Sequence, residues 1–197
     1  MNIGSIIKIV FLSTIGLVLL TYLTVEPPKI VDNKVITLSN LPDTVELIGY
    51  DDQKFKTASI IKPNTILFVG NHESIAIAKD LENMLNLSIG KFVIISNISD
   101  APWFIKRWQA HTKNIKLKGK DNTPWIYDKN GAMRNYLKVP TSDAIKYFVY
   151  NVKDDKTIER IYIGKVKAGT IDGKISKEEI KNSLQEVVTA IKDLSKK

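Results

Sequence analysis

Three adjacent residues with chemically active side chains, His72, Glu73 and Ser74, follow a short apolar run. They supply in succession a base, an acid and a hydroxyl, the groups that a hydrolase with a serine nucleophile combines. Neighbours in sequence do not by themselves form a catalytic triad, because the base must reach the nucleophile in space. A non-thiol enzyme that uses this segment is therefore one hypothesis for the chain.

The two histidines of the chain, His72 and His111, suggest a second hypothesis, a carrier of a metal or small ligand. Together with Glu73 they would offer two imidazoles and one carboxylate, donors that divalent transition metals accept. Nothing in the spacing of these residues requires such a site. We therefore expect no resident metal and no cofactor.

The 197 residues contain no cysteine. Thiol–disulfide exchange, cysteine peroxidase activity, a thiolate metal site and a disulfide-linked partner all need a sulfur atom, so each is excluded. The formal net charge is +8, but only Arg107, Arg134 and Arg160 are arginines and the other basic residues are lysines. Because nucleic-acid readers rely on the bidentate arginine fork, we expect a soluble basic surface and no nucleic-acid partner.

The N-terminal segment decides where the chain resides. Residues 9–25 carry no charged side chain and would span about 25 Å as a helix, slightly less than a bilayer core. Lys8 and Tyr22 suit the two interfaces, and Pro27 with Pro28 cannot continue a helix. Residues 1–25 are therefore predicted to form an N-terminal transmembrane signal-anchor.

A cleaved secretory signal is the alternative to this anchor. It is disfavoured because no pair of small residues stands at cleavage spacing near Leu23 to Glu26. Lys8 and the N-terminal amine would stay in the cytoplasm, which places everything after Glu26 across the membrane. Abundant lysine, isoleucine and asparagine suggest an AT-rich bacterial genome. The expected location is the bacterial cytoplasmic membrane, single-pass, with a periplasmic C-terminal domain.

After a predicted tether at residues 26–59, with a possible edge strand at Lys34–Leu38, strand and helix signals alternate through residues 60–197. Parallel strands joined by helices, then a hairpin and a terminal helix, predict an α/β domain with a central mixed sheet flanked by helices. The predicted strands are 66–70, 91–96, 125–128, 145–151 and 157–164. The predicted helices begin near residues 73, 101, 132 and 177.

Two further groups of side chains are candidates for partner contact. Trp103 and Trp108 fall on one predicted helix, where tryptophans more often belong to the core. Residues five apart are about 140° apart around a helix, so the two cannot share one narrow stripe, and one of them is a candidate for contact with a partner. A predicted loop around Gly119 presents a basic surface to solvent, with anionic lipid or an acidic protein as its possible partner. Its lysines are Lys113, Lys116, Lys118 and Lys120.

The order of elements resembles the thioredoxin-like superfamily, and within it the branch of membrane-tethered thiol-disulfide oxidoreductases and peroxiredoxin-like proteins. The resemblance covers about residues 60–192. It rests on a strand that leads directly into a helix and on three later stretches in the family's order. These are Ile66–Gly70, then Trp125–Gly131, Tyr136–Val139 and Tyr147–Asn151.

The chain departs from this family at the redox site. Family members carry a Cys-x-x-Cys or a lone peroxidatic cysteine where the first helix begins, and here Asn71–Ile77 contains no sulfur. The family's cis-proline precedes the strand that corresponds to Ile145–Asn151, a place that falls near Ala144, whereas Pro140 lies several residues earlier. The resemblance therefore implies no catalytic residue. It implies a corner after the first strand that can hold an extended polypeptide.

These observations predict a membrane-anchored, extracytoplasmic thioredoxin-like domain without redox chemistry and without enzyme activity. We expect it to bind another membrane or periplasmic protein as an assembly or accessory factor. The non-thiol enzyme and the ligand or metal carrier remain the alternatives. The candidate partner-binding residues are His72, Glu73, Ser74, Trp103 and Trp108.

Overall fold

The computed structural model describes residues 10–16, 35–50, 53–87, 90–99, 111–120, 122–140 and 144–194. Residues 10–16 are helical, and no described helix has the length and apolar character needed to cross a membrane. The remainder of the predicted signal-anchor, residues 1–9 and 17–25, lies outside the described residues.

The strands and helices follow one another along the chain with short connections. The strands are β1 (Thr44–Glu46), β2 (Lys54–Lys56), β3 (Ile66–Gly70), β4 (Phe92–Asn97), β5 (Trp125–Asp128), β6 (Lys146–Val152) and β7 (Ile158–Lys165). The helices are α1 (Thr57–Ile60), α2 (Ala78–Leu85), α3 (His111–Lys118), α4 (Ala132–Tyr136), α5 (Lys177–Ser183) and α6 (Gln185–Leu194), with 3-10 turns at Leu38–Asn40 and Ser74–Ile77.

A five-stranded mixed sheet forms the centre of the domain, with the strand order β5-β4-β3-β6-β7. Strands β3, β4 and β5 are parallel, β6 runs antiparallel to β3, and β7 runs antiparallel to β6 and therefore in the same direction as β3. Every residue of β3 and β4 is buried, as expected of continuous apolar runs in strands that are covered on both faces. The predicted α/β arrangement of a central mixed sheet with flanking helices is confirmed.

The sheet has two buried faces because successive side chains of a strand point to opposite sides. Face A is the side of Phe68, Ile94 and Val149, which pack with α2 and α6. Face B is the side of Leu67, Ile95, Phe148 and Tyr150, which pack with α4 and residues near the hairpin β1–β2.

Glycine is required at one position of face A. The ring of Tyr147 lies over Gly164, and a Cβ added there would be 2.1 Å from Tyr147 Cζ. The close approach lets Tyr147 stack on Phe68 with ring centroids 5.4 Å apart. Gly164 therefore shapes the packing of the β6–β7 pair.

Residues 41–61, expected to belong mostly to a tether, form part of the folded domain. Strands β1 and β2 pair as an antiparallel hairpin, and Leu41, Val45 and Ile48 are buried. The Ile48 N–H donates to the carbonyl of Trp125 at 2.8 Å, so this segment covers the outer edge of β5. The predicted tether at 26–59 is therefore too long. Each hairpin strand has three residues and a single central apolar side chain, which is too short a pattern to recognise.

The opposite edge of the sheet is partly covered by the segment that was predicted as a possible edge strand. Thr37 bridges to Thr157 in antiparallel fashion, and the Leu38 N–H donates to the Lys156 carbonyl at 2.9 Å. The Ile158 N–H in turn donates to the Ile36 carbonyl at 2.8 Å. This short pairing ends where β7 begins.

The predicted C-terminal helix is divided into α5 and α6 at Leu184. The hydroxyl of Ser176 accepts a hydrogen bond from the Glu179 N–H at 3.2 Å, which confirms Ser176 as the N-terminal cap. Leu184, Val187 and Ile191 then bury one side of this region against face A.

Candidate functional site

The carboxyl ends of β3, β4 and β5 meet at one edge of the sheet because the three strands are parallel. Antiparallel β6 begins at the same edge. In open α/β sheets this edge is where ligands and partners usually bind. The predicted corner at residues 71–74 lies here, directly after β3.

Ser74 is fully buried, and its hydroxyl holds the corner together. Its oxygen accepts the Asn71 N–H at 2.9 Å, and its proton is donated to the carbonyl of Lys146 at 2.7 Å. The hydroxyl proton therefore points at a backbone carbonyl and not at an imidazole base. This arrangement disfavours the hydrolase hypothesis, because a serine nucleophile must be accessible and must face a base.

Glu73 also has a structural partner. Its carboxylate accepts the Ile171 N–H at 3.1 Å, and its own N–H donates to the Ala144 carbonyl at 2.9 Å. The Ser74 N–H is directed to the same carbonyl at 3.3 Å. The corner is thus tied to the segment before β6 and to the loop after β7, while His72 is exposed.

The structure describes only part of the other predicted aromatic and histidine positions. Trp103 and Trp108 lie outside the described residues. His111 is the first residue of α3, and its side chain lies outside them as well. Across the described parts of the chain, no three His, Asp or Glu side chains are close enough to hold a metal ion together.

The prediction that the basic residues lie on a loop is wrong, because Lys113, Lys116 and Lys118 lie on helix α3. Asn114 anchors this helix by donating from Nδ2 to the buried hydroxyl of Ser96 at 2.9 Å. This contact to β4 orders a segment whose own sequence has little apolar periodicity.

The lysines of the predicted basic surface have different surroundings. Lys113 lies 3.5 Å from the carboxylate of Asp172, and the carbonyl of Lys118 accepts a hydrogen bond from Lys79. Lys116 and Lys120 are exposed. The surface is therefore basic at its outer side, and one of its charges is offset by a nearby carboxylate.

Sequence reasoning missed a buried polar network at the same edge of the sheet. Asn97 Nδ2 donates to Asn71 Oδ1 at 2.8 Å, and Asn97 Oδ1 accepts the hydroxyl of Ser99 at 2.7 Å. The Ser99 oxygen in turn accepts Arg134 Nη1 at 2.8 Å. All four residues are buried, so the network links the ends of β3 and β4 to helix α4.

Asp128, the last residue of β5, completes this part of the edge. Its two carboxylate oxygens accept the N–H groups of Met133 at 3.1 Å and Arg134 at 2.9 Å. Burial raises the pKa of Asp128 to about 6, although these hydrogen bonds and the charge of Arg134 act in the opposite direction. The carboxylate thus caps α4 and places a negative charge near the buried guanidinium.

Gly131 allows this connection to close. Its φ is +70°, and a Cβ there would lie 2.9 Å from the hydroxyl oxygen of Ser99. The predicted turn at 128–131 with glycine at positive φ is confirmed. The signal that could have revealed the network is a polar residue at the carboxyl end of each parallel strand, namely Asn71, Asn97 and Asp128.

A groove of about 170 Å³ lies beside this network, between β1 and the connection from β5 to α4. Lys129 Nζ and Glu46 Oε2 form an ion pair across it at 2.5 Å, and the Lys129 ammonium lies 5.2 Å from the ring centroid of Tyr127. Both oxygens of Asp128 already accept backbone hydrogen bonds. Lys129, Glu46 and Asp128 are thus already engaged by groups of the protein itself.

No protein-family model and no curated protein matches the sequence. Among solved structures, MTB DsbF in its mixed oxidised and reduced forms is 12% identical, with a TM-score of 0.42, covering 79% of this chain and 98% of that one. A secreted Mycobacterium tuberculosis disulfide oxidoreductase homologous to E. coli DsbE is 14% identical, with a TM-score of 0.39, covering 76% and 98%.

A third similar structure is the bacterioferritin comigratory protein of Xanthomonas campestris, described for its alkyl peroxide reduction activity. It is 11% identical, with a TM-score of 0.42, covering 83% of this chain and 98% of that one. At this level of similarity no residue role passes from these proteins to this chain. The chemistry of the site must be argued from its own residues.

Proposed function

We propose that this chain is a membrane-anchored, extracytoplasmic domain that binds another protein of the membrane or envelope as an assembly or accessory factor, without redox chemistry. The observation that carries this proposal is the composition and hydrogen bonding of the corner at residues 71–74. It contains no sulfur, its hydroxyl is buried between two backbone groups, and its carboxylate accepts a backbone N–H. A hydroxyl and a carboxylate that hold the backbone in place shape the corner and are not available for catalysis.

The corner suits protein binding because it is rigid before any partner arrives. Hydrogen bonds from Glu73 and Ser74 to Ala144 hold the backbone, and the Ile171 N–H fixes the Glu73 side chain. His72 is presented to solvent on this frame. A preorganised surface loses little conformational entropy on binding, which favours affinity.

The N-terminal helix supports the anchoring part of the proposal. Val10, Phe11 and Leu12 are exposed by 59%, 64% and 67%. Consecutive exposed apolar side chains of this size need an apolar environment, which the interior of a bilayer provides. The uncharged stretch that contains them has the composition of a signal-anchor.

Site-specific photocrosslinking in native membranes tests the binding function. A photoreactive residue at position 72 is compared with one at Lys62, which is exposed and precedes the opposite end of β3. We expect a discrete crosslinked protein from position 72 that is absent from position 62. Equal labelling from both positions, or no adduct from position 72, would contradict the proposal.

Membrane fractionation tests the anchor independently. The full chain is expected in the membrane fraction and to resist alkaline carbonate extraction. Its domain should be digested by protease that is added to spheroplasts, because it lies outside the cytoplasmic membrane. Recovery of the intact chain in the cytosolic fraction would refute the anchoring part and leave the binding part to be judged by crosslinking.

A further inference from the structure

The outer edge of β7 has no neighbouring strand over most of its length in the part of the chain that the structure describes. Within the described residues, β7 is the terminal strand of the sheet, and its other side pairs with β6. The segment at residues 36–38 covers only residues 156–158. From Glu159 to Lys165 no described strand lies alongside. An edge of this kind is a template for the addition of another strand.

The backbone groups that face outward can be identified from the pairing with β6. The Val166 N–H donates to the Ile145 carbonyl at 2.9 Å, so residues 145 and 166 form a hydrogen-bonded pair. In an antiparallel ladder such pairs alternate with pairs whose N–H and C=O groups point away from each other. The register places Ile163 and Lys165 in the second kind of pair. Their N–H and C=O groups therefore point to the open edge.

The side chains beside these groups combine an apolar residue with positive charge. Ile163 and Lys165 lie on face B, since they are opposite Phe148 and Lys146. Ile163 is 49% exposed. Arg160 also lies on face B, with its guanidinium carbon 6.0 Å from the ring centroid of Phe148. Every charged residue that β6 and β7 place on this face is thus positive.

The charges of β6 and β7 differ between the two faces of the sheet. Their single carboxylate, Glu159, lies opposite Asn151 on face A and pairs with Lys153 at 2.7 Å. On face B, Lys165 lies on the terminal strand, directly opposite Lys146 of β6. An anionic group on a strand added beyond β7 would lie beside Lys165 and be attracted by its charge.

We propose that the edge of β7 at Ile163–Lys165 binds an extended acidic segment of another protein by strand addition. Main-chain hydrogen bonds to Ile163 and Lys165 would supply most of the affinity. An apolar side chain of the segment would lie against Ile163, and a carboxylate two positions away would lie beside Lys165. The edge at Ile163–Lys165 contains none of the residues 71–74, so the inference does not depend on the role proposed for the corner.

Charge selects this occupant over two others. A second copy of the chain would bring its own Arg160 and Lys165 against the same cations. The preceding segment of this chain, residues 26–34, contains two acidic and two basic side chains and has no net charge to offer. These acidic and basic residues are Glu26, Asp32, Lys29 and Lys34.

Amide hydrogen exchange of the full chain in mild detergent tests the proposal. The probe is the peptide Thr-Glu-Val-Thr-Val-Glu-Thr, and its control is the same peptide with lysine in place of glutamate. We expect the acidic peptide to slow exchange at Ile163 and Lys165 by about ten-fold, and the lysine peptide to have no effect. The amides of Tyr162 and Gly164 serve as internal controls, because they already face β6.

A charge-reversed variant, Arg160→Glu with Lys165→Glu, sharpens this test. Both residues are exposed, so the variant is expected to fold. It should bind the lysine peptide in preference to the acidic one, with the ratio of affinities changed by about five-fold for each reversed charge. An unchanged preference would overturn the role of charge.

Three other results would overturn the proposal. The first is that neither peptide protects the amides of Ile163 and Lys165. The second is that these two amides are already protected in the chain alone. The third is that sedimentation shows a dimer that the charge reversal dissociates. A photoreactive residue at position 163 separates this inference from the proposed function. If position 72 crosslinks a protein and position 163 does not, the corner is a binding surface and the edge is not.

Discussion

The two halves of the sheet edge at the carboxyl ends of β3, β4 and β5 satisfy buried polar groups in different ways. At the corner after β3, Ser74 and Asn71 are neutral, and their hydrogen bonds go to nearby backbone or amide groups. At the end of β5, Asp128 and Arg134 are both charged, and both are almost completely buried. One edge therefore contains a neutral half and a charged half.

The difference shows how the cost of a buried group depends on its charge. A neutral hydroxyl with both of its hydrogen bonds made is close to balanced, because it exchanges water for protein partners. A buried carboxylate and guanidinium must recover a much larger desolvation penalty from each other and from their hydrogen bonds. We therefore expect the charged half to be sensitive to both mutation and pH, and the neutral half to be sensitive to mutation alone.

The largest effect is expected when the charged half is broken. Asp128→Ala removes the cap of α4 and leaves the Arg134 charge buried without the carboxylate, which should lower the free energy of unfolding by about 3 to 5 kcal/mol. Urea unfolding followed by circular dichroism measures this change. Glu46→Ala is the matched control, because its ion pair with Lys129 is partly exposed and should contribute less than about 1 kcal/mol. Equal losses in the two variants would refute this account.

A change of pH should also distinguish the two halves. The pKa of Asp128 is raised from 3.8 to about 6 in the folded protein, so between these values the folded state binds the extra proton. Stability from this group should increase as the pH falls from 7 to 4, by about 2 kcal/mol. Unfolding free energies of the wild type and Asp128→Asn should therefore diverge over this range. Parallel pH profiles would show that Asp128 has an ordinary pKa.

In the neutral half, Ser74→Ala should have a smaller effect that does not change with pH. It leaves the Asn71 N–H and the Lys146 carbonyl without the hydroxyl that bridges them, at a cost of about 2 kcal/mol. Ser183→Ala is the control, since its hydroxyl is exposed on α5 and its loss should cost less than about 0.5 kcal/mol. Reaction of Ser74 with a serine-directed probe in the wild type would contradict its structural role and revive the hydrolase hypothesis.

The smallest effect on stability is expected at His72. His72→Ala removes an exposed side chain and should change the free energy of unfolding by less than about 0.5 kcal/mol. Partner recovery after mild solubilisation should nevertheless decrease, because His72 is the exposed residue of the proposed binding corner. Full recovery of the partner with this variant would move the binding surface away from position 72.

Much of the fold could be predicted because its signals are local. The apolar runs within 66–70 and 91–96 indicate the buried strands β3 and β4, and Ser176 indicates a helix start. The hairpin β1–β2 could not be predicted, since each strand has three residues and one central apolar side chain. Helix α3 could not be predicted either, because its anchor, Asn114, contacts a strand distant in sequence.

The amino-acid sequence alone determined that no thiol chemistry occurs within this chain, since a residue type that is absent leaves no sulfur to react. It also determined the alternation of strands and helices, because hydrophobic periodicity is read over a few neighbouring residues. Only the tertiary structure decided what the polar residues do. Asn71, Asn97 and Asp128 are far apart along the chain, and they share one edge only after the parallel strands have paired. Whether a hydroxyl or a carboxylate is reactive or structural depends on that neighbourhood.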